Sequence, residues 1–302
     1  MAPQPTLSIS NSRRRLVFVF APALLTLISY ALAIYWGGIP PTDGFQVRDK
    51  NRIKSERYLL DAQIRPEAVL VGSSLTANLP TQEISQRVFN LGLAGDSLWT
   101  GLDLIRGRPD FRPRVVVMEV SDLLLRSPDR EFVDGLLNPS RIALRRALPM
   151  FRAEYQPAGV LLKQLGRWQK RRQNAAGAAK PSGVLPVTDR LIEQAREAGR
   201  AGLAAGEATR LTDACARLRA TIEDYQKSGI RCVLLRVPGE PALAGTLRNK
   251  QLAALFDEEF PPSQFTWIRP AADFKCTTWD AIHLVQSDAL TYARFVCHEL
   301  EP

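Results

Sequence analysis

Ala68-Val69-Leu70-Val71-Gly72-Ser73-Ser74-Leu75-Thr76 joins a continuous apolar run to a glycine and a group of small hydroxyl residues. Four apolar residues without alternation are the pattern of a strand buried on both faces of a parallel sheet. Working outward, similar β-rich runs stand at Val88–Asn90, Arg114–Val120, Arg231–Val237 and Gln264–Ile268. Helices are expected at Ser97–Arg106, Glu207–Ser228, Leu243–Phe256 and Ser287–Leu300. Strands alternating with helices predict an α/β domain, a parallel sheet covered by helices. Ser74 then stands at the carboxyl end of a strand and near a helix start. Ligands bind there in open α/β sheets. Free N–H groups and the positive end of a helix dipole suit a developing anion at such a place.

The chain has 302 residues, 45% hydrophobic and 24% charged, which excludes a wholly disordered or fibrous protein. Forty Lys and Arg against 31 Asp and Glu leave a net charge of +9. That excess suits any anionic surface without choosing among membrane, acidic polymer and nucleic acid. Four cysteines without a CxxC pair exclude a disulfide scaffold and the usual zinc site.

Arg13-Arg14-Arg15 stand directly before an uncharged run from Leu16 to Ile39. A helix needs about 20 apolar residues to cross a bilayer. Tyr30, Tyr35 and Trp36 crowd the far end of the run, where aromatics suit the headgroup region. The expectation is a cytoplasmic segment at 1–15 and a single transmembrane anchor in the lipid bilayer at 16–39. Everything later lies on the extracytoplasmic side, the periplasmic face of an inner membrane, which excludes nucleic acid as a partner. A cleaved signal peptide, with a shorter apolar core, and a buried core helix are the alternatives. Residues 40–66 read as a polar connector and 67–302 as the α/β domain, with a basic, partly helical insertion at 126–188. The insertion's charges (Arg145, Arg146, Lys163, Arg167, Lys170, Arg171, Arg172) suit a solvated helix face or a surface for anionic lipid or an acidic polymer. An Ala/Gly/Pro linker, Ala175–Gly183, follows.

Three further segments end strands or precede a helix. Val88-Phe-Asn90-Leu-Gly92-Leu-Ala94-Gly95-Asp96-Ser97 carries a glycine whose N–H could approach a substrate oxygen without a Cβ in the way. The strand in Pro113–Asp122 ends Glu119-Val120-Ser121-Asp122, with polar residues directed at the same crevice. Trp279-Asp280-Ala281-Ile282-His283-Leu284 holds one of only two histidines, the other being His298 beside Glu299. Asp280 is spaced to hold one imidazole N–H while the other ring nitrogen faces a nucleophile. No second histidine or carboxylate cluster is spaced to make a metal site. Each segment also has a plain reading: turn and cap for Gly-Ser-Ser, tight turn for Gly95, helix cap for Asp122.

The order of the four segments resembles the SGNH/GDSL hydrolase family, over about Val69 to Phe295. Gly72-Ser73-Ser74-Leu75-Thr76 looks like the family's Gly-Asp-Ser-Leu block, with Ser73 in the Asp position. Asn90-Leu-Gly-Leu-Ala-Gly95 is similar to the second block, and Asp280-x-x-His283 to the last. The third block normally presents Gly-x-Asn-Asp, whose Asn is an oxyanion donor, and this chain has no Asn there. The resemblance implies a three-layer α/β/α, flavodoxin-like fold with Ser74 as nucleophile, His283 as base and Asp280 as orienting carboxylate. It also implies an oxyanion hole from Ser74 and Gly95, in which either Ser121 substitutes for the absent Asn or the two backbone donors stand alone, and it implies no metal or cofactor. The anchor and the Gly-Ser-Ser form are similar to membrane-anchored relatives that esterify polysaccharides beside a membrane acyltransferase. Hydrolysis, acyl transfer and a non-catalytic, glycan-binding scaffold stay open on these residues. A Cys276–Cys297 bridge beside the last block also stays open, while Cys215 and Cys232 read as buried thiols.

Overall fold

The computed structural model describes residues 9–175, 189–271 and 274–301. Two helices, α1 (Ile9–Tyr35) and α2 (Val47–Leu60), precede β1 (Ala68–Val71) and a single turn, α3 (Ser74–Ala77). Then come β2 (Val88–Asn90), α4 (Leu98–Arg106), β3 (Val115–Glu119), α5 (Arg130–Leu137), α6 (Pro139–Ala147), α7 (Pro157–Ala175) and α8 (Asp189–Arg200). The chain closes with α9 (Glu207–Lys227), β4 (Arg231–Leu235), α10 (Leu247–Glu259), β5 (Trp267–Ile268) and α11 (Gln286–Glu299).

The five strands form one parallel sheet in the order β2-β1-β3-β4-β5, with Val69 opposite Val116 and Val116 opposite Cys232. Successive residues face opposite sides of the sheet. Val69, Val71, Val116, Met118 and Leu234 therefore enter one apolar core, which α4, α9 and α10 also enter. Leu70, Val117, Val233 and Leu235 enter a second core with Tyr292 and Val296 of α11. Both faces are covered, which is why the strands carry unbroken apolar runs. The chain reverses direction across the sheet between β1 and β3, so a crevice opens at their carboxyl ends.

Several boundaries differ from expectation for local reasons. Gln264 and Phe265 donate to Pro261 O in a turn, which leaves only Trp267–Ile268 for β5. The helix expected from Leu243 starts at Leu247, because Pro241–Leu243 form a 3-10 turn and the Thr246 hydroxyl caps α10. The expected connector at 40–66 contains a full helix, α2. Its polar stretch Arg48-Asp-Lys-Asn-Arg52 hides the periodicity, and its buried set mixes Asn51, Ser55 and Glu56 with Ile53, Tyr58 and Leu59.

The insertion supplies α5, α6 and α7; residues 176–188, including most of the expected linker, lie outside the described residues. Its charge is not all solvated. Arg145 is buried 3.5 Å from Glu56, and Arg146 donates to Leu59 O. Arg57 of α2 pairs in turn with Glu154 at 2.7 Å. These contacts bind the insertion to α2. All four cysteines are free thiols, so the 276–297 bridge is absent, and the Cys276 thiol donates to Gly239 O.

Residues 1–8 of the expected cytoplasmic segment lie outside the described residues, and side chains are described from Phe20 onward. Among the described residues no helix is long and apolar enough to cross a membrane. The run expected to do so begins before that point, at Leu16. The backbone of α1 is helical through Pro22 to Tyr35.

Candidate active site

Ser74 opens α3 directly after the β1 turn, and His283 lies in the loop before α11. Separated by 209 positions, the two meet: the Ser74 hydroxyl donates to His283 Nε2 at 2.8 Å. An ionised carboxylate only accepts hydrogen bonds, so the proton on the other ring nitrogen belongs to the histidine. His283 Nδ1–H donates to Asp280 Oδ2 at 2.6 Å. Asp280 Oδ1 accepts from the backbone N–H groups of His283 (2.7 Å) and Ile282 (3.1 Å). Burial pushes the Asp280 carboxyl up. The hydrogen bonds from the His283 and Ile282 N–H groups and from the imidazole outweigh that and hold it below the ordinary aspartate value.

The Asp280–His283 loop is held from several sides. Thr278 bridges Leu284, the Thr278 hydroxyl donates to Glu240 at 2.6 Å, and the Thr277 N–H donates to Asp288 at 2.7 Å. Ala281 has φ +66°, a left-handed conformation that a side-chain-bearing residue rarely adopts. That twist turns two successive N–H groups onto one carboxylate oxygen. Trp279 stacks on the imidazole, ring centres 5.4 Å apart and planes 18° apart.

A second carboxylate organises the nucleophile turn. Glu119, at the end of β3, is only 2% exposed, and no cation pairs with it among the described residues. It accepts five hydrogen bonds instead. Oε2 receives the Ser73 N–H (2.9 Å), the Thr76 N–H (3.2 Å) and the Thr76 hydroxyl (2.6 Å). Oε1 receives the hydroxyls of Ser73 (2.7 Å) and Ser121 (2.9 Å). A buried charge needs such compensation to persist. It also explains Gly72: a Cβ there would stand 2.5 Å from both Glu119 Oε2 and Thr76 Oγ1.

The loop after β2 is fastened from two directions. The Asn90 amide donates to Thr76 O and Leu79 O, and its Oδ1 accepts the Gly92 N–H, joining this loop to α3. Asn51 of α2 grips Ala94 at both backbone groups, donating to its carbonyl (2.9 Å) and accepting from its N–H (3.1 Å). Lys54 Nζ donates to Gly92 O at 2.7 Å. Gly95 follows with φ +76°, a turn conformation suited to glycine. The N–H groups of Ser74 and Gly95 have no partner among the described residues, so both are free to donate.

Two expectations need correction. The Ser121 hydroxyl gives its proton to Glu119 and accepts from the Leu123 N–H, so it is not free to replace an oxyanion Asn. Helix α3 is one turn of four residues, too short to offer a sizeable dipole. Asp122 is taken up in an ion pair with Arg248 at 2.9 Å. His298 pairs only loosely with Glu301 on the surface. Sequence reasoning missed three residues. Glu119 had a signal, a carboxylate ending an apolar strand that must find donors. Asn51 and Lys54 had none, because their helix was hidden.

Burial lowers the Lys54 amine from 10.5 to about 8. The folded chain therefore releases this proton near pH 8, while the unfolded chain holds it until about 10.5. The protonated amine disfavours folding below pH 8, and that penalty is relieved as pH rises from 8 to 10.5. Thermal melts should show the wild type gaining stability relative to Lys54→Met across this interval. Parallel curves would contradict the burial of the charge.

Beside the triad runs a groove of about 1190 Å³ that reaches from Trp279 and Ala94 to Lys50 and Arg65. Side-chain amides form part of its lining, among them Gln63, Asn78, Gln82, Gln86 and Gln286. No protein-family model matches the chain, and no curated protein or solved structure matches it either.

Proposed function

We propose that this chain is a serine esterase or O-acyltransferase acting on acyl esters of a polysaccharide, held at the outer face of a membrane by residues 16–39. The observation that carries the reading is the unbroken hydrogen-bond chain Ser74–His283–Asp280. A serine hydroxyl is a weak nucleophile until a base takes its proton. In the proposed reaction Ser74 Oγ attacks the ester carbonyl and its proton passes to His283 Nε2. Asp280 holds the ring and stabilises the imidazolium. The tetrahedral oxyanion is received by the free N–H groups of Ser74 and Gly95. The carbonyl–oxygen bond then breaks, the departing alkoxide takes the proton from His283, and an acyl-Ser74 ester remains. Water or a sugar hydroxyl, deprotonated by His283, attacks that ester, releases the acyl group and restores Ser74.

The resemblance to SGNH/GDSL hydrolases supports this reading, as does the strand order, which is that of flavodoxin-like three-layer α/β/α folds. The groove supports a chain-like substrate, since it exceeds the volume of an ordinary small-molecule site, about 300–1,000 Å³. Its amides suit sugar hydroxyls, and Lys50 and Arg65 suit anionic groups on the glycan. The acyl donor in the transferase version would come from a membrane acyltransferase beside the anchor.

A serine-reactive fluorophosphonate tests the nucleophile. Intact-mass analysis should find one adduct, mapped to Ser74, and His283→Ala should suppress it. An unlabelled Ser74 in the folded wild type would sink the enzyme reading in favour of a glycan-binding scaffold. With labelling established, release of acetate with and without an added oligosaccharide acceptor separates hydrolysis from transfer.

A further inference from the structure

Helix α7 divides into two faces. Gly159, Val160, Lys163 and Gly166 are half-buried, and Lys163 reaches back to Pro41 O (2.8 Å) and Asp43 Oδ2 (3.1 Å) just beyond α1. Leu161, Leu162 and Leu165 lie on the other side of the helix and are 61%, 52% and 47% exposed. Leu161 and Leu165 are one turn apart, and Trp168, half exposed, continues the stripe. Single exposed apolar residues are ordinary on soluble proteins, but an aligned row of leucines marks a surface with a function. Across its 19 residues α7 carries five cations, Lys163, Arg167, Lys170, Arg171 and Arg172, and no carboxylate.

The position of the helix is as informative as its composition. The Tyr30 hydroxyl of α1 donates to Tyr155 O at 2.6 Å, two residues before α7 begins. Beyond that contact Phe20, Leu24, Leu25 and Ile28 of α1 are all exposed. Tyr35 and Trp36, at the end of α1, are exposed as well. The start of α7 thus stands at the level where α1 leaves an apolar environment for a polar one, if α1 is the anchor. An amphipathic helix with leucine and tryptophan on one face and lysine and arginine elsewhere lies in the headgroup plane of a bilayer. Anionic lipid attracts such cations.

We propose that α7 is an interfacial helix that lies on the same anionic bilayer that α1 spans, with the Leu161–Leu165 face among the upper acyl chains. The proposal rests on the anchor reading above. Two contact lines, α1 and α7, would then fix the tilt of the domain and the height of the groove over the membrane. An acidic protein partner is the competing occupant. The tie of Lys163 to Pro41 and Asp43, just beyond α1, favours lipid, because it holds α7 beside the end of the anchor.

The test uses the full chain, reconstituted in vesicles, with nitroxide labels on single introduced cysteines. In a Cys276→Ser background the remaining thiols resist labelling, since burial pushes Cys215 and Cys232 up to about 12 and Cys297 to about 11. Labels go at Leu165→Cys, at Leu25→Cys in α1 and at exposed Lys227→Cys in α9. In phosphatidylcholine–phosphatidylglycerol vesicles oxygen should relax the labels at 165 and 25 strongly. A water-soluble nickel chelate should relax the label at 227. Adding Leu161→Glu and Leu162→Glu should move the label at 165 toward the nickel response. A water-like response at 165 with lipid contact at 25 would overturn this proposal alone, and protein-free vesicles exclude a partner protein as the cause. A water-like response at 25 would instead overturn the anchor and this proposal with it. An identical depth at 165 in phosphatidylcholine alone would overturn the role given to the cations.

Discussion

Ser74→Ala is expected to lower hydrolysis of a small acetyl ester about 10³-fold or more, without a measurable change in melting temperature. Among the described residues the hydroxyl is the only attacking group that His283 faces, and no neighbour there can replace it. Ser73 gives its proton to Glu119, and Thr76 does the same. The methyl group of alanine fits the partly exposed position without strain. What survives would come from the two backbone donors and from substrate binding, neither of which the substitution alters. In the proposed reaction these donors would bear more of the burden than usual, because Ser121 is spent on Glu119. One such donor is typically worth about 2.7–4 kcal/mol in the transition state. Steady-state kinetics on matched preparations decide the point, and full activity in Ser74→Ala would remove the triad from the mechanism.

Glu119→Ala should unfold the domain more readily than any other single change near the site. It would strand the Ser73 and Thr76 N–H groups, both buried and both directed at the missing carboxylate. Leaving buried donors unpaired costs about 1–3 kcal/mol each, so a loss of about 3–5 kcal/mol is expected. For a domain of this size that corresponds to a fall in Tm of about 6–20 °C. Glu119→Gln keeps the shape but puts an NH2 donor in place of one acceptor oxygen, where all five neighbouring groups donate. It should therefore recover only part of the stability. Acetyl-esterase activity in Glu119→Gln should fall further than the folded fraction, since the turn that presents Ser74 loses its frame. Unchanged melting in both variants would show that the five contacts carry no net stability.

Much of this arrangement was legible before any coordinates. The apolar runs in β1 and β3 announced a sheet buried on both faces, and Asp280-x-x-His283 announced a carboxylate–imidazole pair. Both signals are short-range, set by neighbouring residues alone. The meeting of Ser74 with His283 is long-range, and only the order of motifs in a resembling family suggested it. Glu119 was visible as the residue that breaks the valine run, but four of its five hydrogen bonds come from one distant segment, at Ser73 and Thr76. Helix α2 escaped because a helix that buries Asn51, Ser55 and Glu56 leaves no apolar stripe to count. Ser121 misled for the opposite reason: residue type placed it well, and a neighbour had already claimed its proton.

The grip of Asn51 on Ala94 has a practical corollary for anyone trimming this chain. A secreted version begun at β1 would discard the amide that seats the second motif, and Lys54 with it, so low turnover in such a fragment would report careless cutting rather than a dead enzyme. The place to sever the protein from its leading helix is between Gly37 and Pro40, upstream of buried Thr42, which donates to Glu154 O.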